Sequence, residues 1–328
     1  MPGAIFVEPE WLTHTFDLGQ VQGLTVAGVG QVNPLGVLRL ETSKGRYAIK
    51  QMDREPKRLA LRIESIAFES GFPMSEPILT HTAQRYAVSP HQHRPIWVRA
   101  YRWVDGTPYA WGHVSTGAST EVGRLLALLH ALPVPMGELR DDVPWSALGS
   151  DGWAELASRG LQLGLPWGPV LRDRVATLTS LEAHILHHFV TDEPMVPSQR
   201  DLHPPNVIRG PEGRHRLVDW DAAGPVNARE EVATFALVWA TPPGESPRAD
   251  AVQAFIHGYR GAGGRFETRG IADFTHQLSS RLNWVRYNLE RDLELRPDAQ
   301  PGLTLALLSG VQSLDLNALT QTAALFQV

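Results

Sequence analysis

The sequence predicts an α+β fold in two lobes, a small antiparallel-sheet lobe at the N-terminus and a larger, mostly helical lobe after it. Three observations predict it. The chain has 328 residues, more than one small core organises. Strand-like alternation dominates the first hundred residues and helical spacing dominates the rest. The charge divides in the same way: residues 1–105 carry 12 Lys+Arg against 10 Asp+Glu, or +2, and residues 106–328 carry 18 against 25, or −7.

Taken in order, residues 36–42 and 46–52 read as two strands joined by the Ser43-Lys44-Gly45 turn, a hairpin. Residues 55–70 set Leu59, Ile63, Ile66 and Ala67 at helical spacing, and the run stops at Gly71 with Pro73 beyond, as helices commonly stop. Residues 96–101 form another strand-like run that leads into Trp103-Val104-Asp105-Gly106. The boundary is placed at that turn, giving an N-terminal lobe over 1–104 and a C-terminal lobe over 105–328. Residues 120–132 bring Val122, Leu125, Leu126, Leu129 and Leu132 onto one helical face, ended by Pro133. Residues 133–170, rich in Pro, Gly and Trp, are expected to form a loop-and-short-helix insert. Further helices are expected over 172–189, 230–240 and 276–295.

Composition excludes several classes of function. A net charge of −5 lacks the basic face of a general nucleic-acid binder. The longest apolar runs, 125–129 and 303–308, fall far short of the ~20 residues of a bilayer span, and residues 1–8 show no basic stretch followed by an apolar one. No nucleic-acid or membrane partner is expected, and a cytoplasmic location is. The absence of cysteine removes disulfides, thiolate metal sites and a cysteine nucleophile.

The chemistry concentrates in Gln199-Arg200-Asp201-Leu202-His203-Pro204-Pro205-Asn206 and the hairpin that follows it through Gly210-Pro211-Glu212-Gly213 to Val218-Asp219. Folding that hairpin brings Asn206, at the start of one strand, near Asp219, at the end of the other. A carboxylate and an amide oxygen at one end of a hairpin suit a hard divalent cation. Asp201, five residues before Asn206, is placed to accept the proton of an attacking hydroxyl. A base with two metal ligands is what phosphoryl transfer needs, because catalysis there is mainly positioning and neutralisation of phosphate charge. Upstream, Lys50 ends the strand Tyr47-Ala48-Ile49-Lys50 and is a candidate phosphate ligand. Glu64, on the next helix, is the first choice for the carboxylate that steadies it, with Glu69 and Glu55 as alternatives. Gly28-Val29-Gly30-Gln31-Val32-Asn33 offers a turn whose backbone amides can approach phosphates. His130 and His203 are further polar residues near these segments.

These residues together resemble the aminoglycoside phosphotransferase and choline kinase family, small-molecule phosphotransferases with a protein-kinase-like fold. The resemblance rests on Gly30 and Asn33, Tyr47 to Lys50, Trp103-Val104-Asp105-Gly106, Leu126 to His130, the loop from Asp201 to Asn206, Val218-Asp219-Trp220-Asp221, and Arg281 to Asn288. It implies Asp201 as catalytic base, Asn206 and Asp219 as Mg2+ ligands, Lys50 as phosphate ligand, and Arg99, Ala100 and Tyr101 as the hinge that meets the nucleotide base through backbone groups. His203, Asp221, Asn283, Arg286, Tyr287 and Glu290 are the candidates for contact with the acceptor. Two positions depart from the family pattern, Gln199 where a histidine is usual and Arg200 where a small residue is; Glu231 stands where a later structural aspartate is frequent. The activity implied is transfer of the γ-phosphate of ATP or GTP to a hydroxyl of a small molecule, first an antibiotic, otherwise a metabolite of the choline or amino-sugar type. A protein-kinase reading is disfavoured because the few residues between Asp219 and the helix near Glu230 leave little room for a peptide-holding segment. A nucleotide-binding scaffold without turnover is disfavoured because Lys50, Asp201, Asn206 and Asp219 are all present. The −7 balance of the second part suits a cationic acceptor.

Overall fold

The computed structural model describes residues 5–28, 35–89, 95–113, 115–135, 137, 146–188, 195–296, 299–311 and 316–327. The chain runs α1 (Pro9–Thr15), β1 (Val21–Gly28), β2 (Val37–Thr42), β3 (Gly45–Met52), α2 (Arg58–Glu69), β4 (Pro77–Ile78), β5 (Ala87–Ser89), β6 (Ile96–Arg102) and β7 (Thr107–Pro108). It continues as α3 (Thr116–His130), α4 (Gly149–Gln162), α5 (Gly168–His188), β8 (Met195–Ser198), β9 (Val207–Arg209), β10 (His215–Leu217) and β11 (Gly224–Asn227). The remainder is helical: α6 (Ala228–Val238), α7 (Ala249–Gly261), α8 (Thr275–Leu293), α9 (Pro301–Val311) and α10 (Leu316–Ala323).

Packing divides the chain into two compact units. The first takes residues 1–111, 132–138 and 197–224, the second 112–131, 139–196 and 225–328. The sequence places a single cut at 104–105, whereas this division returns the Asp201 loop and its hairpin to the unit of the sheet. Hydrogen bonding gives the reason. β9 pairs with β7 as well as with β10, and the N–H of Leu217 donates to the Pro73 carbonyl at 2.9 Å while its own carbonyl accepts from Ser75.

The first unit is built on an antiparallel sheet in the order β1-β2-β3-β6-β4, with β5 also on β6. Strand alternation sorts its faces. Leu38 and Leu40 of β2, Tyr47 and Ile49 of β3, and Ile96, Val98 and Ala100 of β6 pack with Leu12 and Phe16 of α1 into one core. The predicted 36–52 hairpin is present, turning at Gly45 with φ +135°. The helix expected over 55–70 spans Arg58–Glu69 and is followed by Gly71 at φ +73°.

In the second unit, Ser115 caps α3 by accepting from the Ala118 N–H, and Asn227 caps α6 by accepting from Glu230. The loop-and-short-helix insert expected over 133–170 is corrected: α4 alone has 14 residues, and the buried Trp153, Leu156, Ala157 and Gly160 give it a long apolar stripe. The abundance of Gly and Trp that suggested a loop belongs to helix packing, since the Gly160 position lies against the Trp167 ring. His130 of α3 joins its Nε2 to Glu231 at 2.7 Å and its Nδ1 to the Tyr259 hydroxyl at 2.8 Å, so it and Glu231 tie α3, α6 and α7 together. Among the described residues no helix is long and apolar enough to cross a membrane.

α3 and α7 approach closely through glycine. A Cβ at Gly258 would overlap the Thr120 carbonyl, and one at Gly123 the Phe255 carbonyl, both backbone groups that cannot swing aside. Gly258→Ala is therefore expected to destabilise by ~1–3 kcal/mol through overpacking. Gly261→Ala, on the same helix with no atom within 4 Å of its Cβ position, is expected to be neutral or slightly stabilising. Chemical denaturation of both proteins checks the pair.

Candidate functional site

The sheet face opposite the core carries the first half of the site. Because Tyr47 and Ile49 point into the core, Lys50 points away from it, and the same alternation turns Arg99 and Tyr101 away from Val98 and Ala100. The register sets Lys50 directly opposite Arg99. Both are buried, and two cations side by side on one face repel unless carboxylates lie between them. Asp221 supplies one: its Oδ2 lies 2.6 Å from Lys50 Nζ and its Oδ1 accepts from Arg99 Nη1 at 3.2 Å. Asp219 supplies another, its Oδ1 2.5 Å from Lys50 Nζ. Burial alone lowers the Lys50 ammonium, but the two carboxylates outweigh it and raise its pKa. Burial likewise raises the Asp221 carboxyl, and Lys50 with Arg99 reverse this and hold it below the ordinary 3.8.

Glu64 does not meet Lys50. It is fully buried on α2, accepts from Arg99 Nη2 and accepts from the Tyr101 hydroxyl at 2.9 Å. Glu55 accepts from Tyr86, and Glu69 lies 3.9 Å from Arg85, so no glutamate weighed from the sequence takes the expected place. The hinge expectation also changes. Arg99, Ala100 and Tyr101 lie inside β6, with β3 on one side and β4 bound to Ala100 and Tyr101 on the other. Their backbone is committed to the sheet, and their side chains carry the buried network. An arginine between Val98 and Ala100, inside an apolar run, was the available signal for it. Gly30 and Asn33 lie outside the described residues.

The loop after β8 forms the second half. Asp201 keeps 37% of its side chain exposed, yet both its oxygens are oriented. Oδ1 accepts from His203 Nδ1, and Oδ2 accepts from Asn206 Nδ2 at 2.8 Å. A carboxylate can only accept, so Nδ1 of His203 carries the hydrogen. Asn206 Nδ2 also donates to the Asp201 carbonyl, which commits its amide nitrogen and leaves Oδ1 as the atom for a cation. The hairpin performs as its sequence predicts: β9 and β10 pair with Val207 opposite Leu217, and the Val218 N–H donates to the Asn206 carbonyl at 2.9 Å. Gln199, buried, takes the place of the missing histidine. Its Oε1 accepts from the Asp201 N–H at 2.9 Å while its Nε2 donates to the carbonyls of Val218 and Asp219. One side chain thus fastens the Asp201 loop to the segment of Asp219. Arg200 and Asp219 both sit in the left-handed region, at φ 64° and 62°, conformations that tight functional turns tolerate at a cost of order 1–3 kcal/mol.

Asp219 and Asn206 Oδ1 are oxygen donors of the kind a hard cation selects. Among the described residues no group of three or more His, Asp or Glu is placed to hold a metal ion. Trp111, 62% exposed, packs on the His203 ring with centroids 5.0 Å apart; it was not singled out from the sequence, because one tryptophan of ten carries no signal. On α8, Arg286 Nε donates to Glu290 Oε1 at 2.8 Å, Tyr287 stacks on Trp284 and accepts from Arg296, and Asn283 is exposed.

The sequence pattern of the phosphotransferase enzyme family (APH) matches residues 30–266. Among solved structures, spectinomycin phosphotransferase APH(9)-Ia, in complex with ADP and spectinomycin, superposes with a TM-score of 0.68 at 16% identity over 96% of each chain. The amicoumacin kinase hAmiN, in complex with AMP-PNP, Ca2+ and Ami, gives 0.62 at 14% over 95% of this chain and 96% of its own. Choline kinase LicA from Streptococcus pneumoniae gives 0.56 at 14% over 93% and 97%. A search of curated protein sequences finds no match. At such identities the likeness is one of fold.

Proposed function

We propose, from the premise that this chain belongs to the phosphotransferase enzyme family and is a small-molecule kinase, that it moves the γ-phosphate of ATP or GTP onto a hydroxyl of an antibiotic in the cytoplasm. The observation that carries the reading is the Asp201 carboxylate, open to solvent and held from both sides by His203 and Asn206. Fixed direction with access is what a general base requires. In this reading Asp201 orients the acceptor hydroxyl and takes its proton as that oxygen bonds to the γ-phosphorus and the bond from phosphorus to the β–γ bridging oxygen breaks, releasing the nucleoside diphosphate. Lys50 turns from its carboxylates to the phosphates. Asp219 and Asn206 Oδ1 would hold Mg2+, which when bound neutralises phosphate charge. The acceptor lies against His203 and the exposed face of Trp111, whose ring suits a cationic or apolar group, and Asn283, Arg286, Tyr287 and Glu290 are proposed as further acceptor contacts.

The test is a transfer assay with radiolabelled ATP and GTP against aminoglycosides, nucleoside and peptide antibiotics, choline and amino sugars. Label is expected on one antibiotic. Label on choline or an amino sugar alone makes the chain a metabolic kinase instead, and nucleotide binding without transfer to any acceptor returns it to a scaffold.

A further inference from the structure

The α2 carboxylate expected on the strand lysine sits on Arg99, and the two oxygens of Asp221 divide between Arg99 and Lys50. We propose that Arg99 is a positioning residue of the phosphotransferase site: its guanidinium, fixed by Glu64 and Tyr101, holds Asp221 in the orientation that sets Lys50 beside Asp219 and frees Lys50 to leave for the phosphates. The inference rests on the phosphotransferase reading and adds a residue to it.

The connections form one chain. Glu64 Oε2 accepts from Arg99 Nη2, Arg99 Nη1 donates to Asp221 Oδ1 at 3.2 Å, Asp221 Oδ2 lies 2.6 Å from Lys50 Nζ, and Lys50 Nζ lies 2.5 Å from Asp219 Oδ1. A guanidinium is a rigid planar fork, so the direction in which Nη2 is fixed sets where Nη1 points. Two contacts steady it further: the Tyr101 ring centroid lies 5.1 Å from its carbon, and the Tyr101 hydroxyl donates to the same Glu64 at 2.9 Å. Burial differs between the two ends of the chain. The Glu64 and Arg99 side chains are 0% and 2% exposed, and those of Asp221 and Asp219 are 33% and 41% exposed. The anchor is therefore closed to water and the working end is open to it.

Charge explains why an arginine stands there. Lys50 lies between both aspartates in the nucleotide-free protein, and Arg99 shares Asp221 with it. When Lys50 turns to the phosphates, Asp221 would be left as a partly buried anion without a partner, a costly state. Arg99 remains on Asp221 throughout. The direct lysine–glutamate pair expected from the sequence is replaced by a relay through one buried arginine, and the relay leaves the lysine movable.

The full-length enzyme tests this by calorimetric titration with Mg·ATP and Mg·GTP, alongside thermal melts. The double variant Glu64→Met/Arg99→Met removes both fully buried charges together, so neither is left in the interior without the other. It is expected to bind Mg-nucleotide about tenfold more weakly, a coupling in the usual range for residues in one ionic network, and to raise KM for nucleotide while leaving KM for the acceptor in place. In an Asp221→Asn background the same pair should change the affinity little, because the group it orients is gone. Arg99→Lys, whose single ammonium cannot serve Glu64 and Asp221 in fixed directions, should lose affinity as the double variant does, and it decides the matter if the double variant does not fold. A folded double variant or Arg99→Lys protein with wild-type affinity overturns the proposal, as does an equal loss in the Asp221→Asn background; lowered melting with unchanged affinity makes Arg99 purely structural. Failure of the underlying reading shows separately, as a wild-type protein that binds neither nucleotide, and takes the relay's role with it.

Discussion

Asp201→Ala protein is expected to bind Mg-nucleotide as the wild type does while its phosphoryl-transfer rate falls ~10²–10⁴-fold, the usual worth of a positioned general base. The separation follows from geometry. Asp201 contacts His203 and Asn206, whereas the lysine proposed to reach the phosphates lies on Asp219 and Asp221. Removing the Asp201 side chain deletes two hydrogen bonds inside its own loop, so a modest stability loss accompanies the change, of order 1 kcal/mol for each bond. Asp201→Asn is a sharper probe than its shape suggests. The carboxylate accepts from two donors on two different oxygens, and an asparagine has one acceptor oxygen and an NH2 group that must face His203 Nδ1 or Asn206 Nδ2. Both variants should lose turnover alike, and the asparagine should gain no stability over the alanine. Thermal melts with and without Mg-nucleotide, beside steady-state rates, check this. A folded Asp201→Ala protein with near-normal turnover would remove the central residue from the mechanism.

The local features of this fold were legible where the sequence rules are strong. The hairpin over 36–52, the helix carrying Glu64 and the turn from Asn206 to Val218 follow from alternation, glycine punctuation and helical spacing, and the structure contains all three. α1, β1, α7, α9 and α10 were not read from the sequence. β1 presents no alternation to find: its residues Thr25 to Gly28 are exposed, and its pairing with β2 carries two register irregularities. In the site, the Asp201 loop and its hairpin were legible because their parts are adjacent in the chain. The partners of Lys50 were not, since Asp219 and Asp221 lie about 170 residues away and nothing local distinguishes them from Glu64. Arg99 was read as a backbone contributor because the register opposing it to Lys50 is a tertiary fact. Gln199 shows the same limit in the other direction. Its identity departs from the family pattern, yet its amide supplies a donor and an acceptor at once, and so it joins the Asp201 N–H to the carbonyls of Val218 and Asp219.

Asp219→Asn is expected to abolish Mg-dependent nucleotide binding and to lower transfer ~10³-fold or more, the equivalent of several kcal/mol of metal-borne charge stabilisation at a factor of ten per 1.36 kcal/mol. Asparagine is the right substitution here because Asp219 sits at φ 62°, a left-handed conformation that asparagine adopts at lower cost than alanine. The backbone should then stay in place, with the Asp219 carbonyl still accepting from Gln199, and the change confines itself to the carboxylate charge. The apo protein responds to that change as well. Lys50 loses one of the two carboxylates that hold its ammonium charged. Its pKa is raised in the folded state above the ordinary 10.5, so the pair's contribution to stability is complete below that value and lost as pH rises through the raised one. Wild type and Asp219→Asn should therefore differ in melting temperature near neutrality and converge at strongly alkaline pH. The nucleotide result and the alkaline melt are independent readings of the same side chain. If Asp219 served only the lysine, the melt would change and Mg-dependent binding would survive; if it serves the cation, both change together.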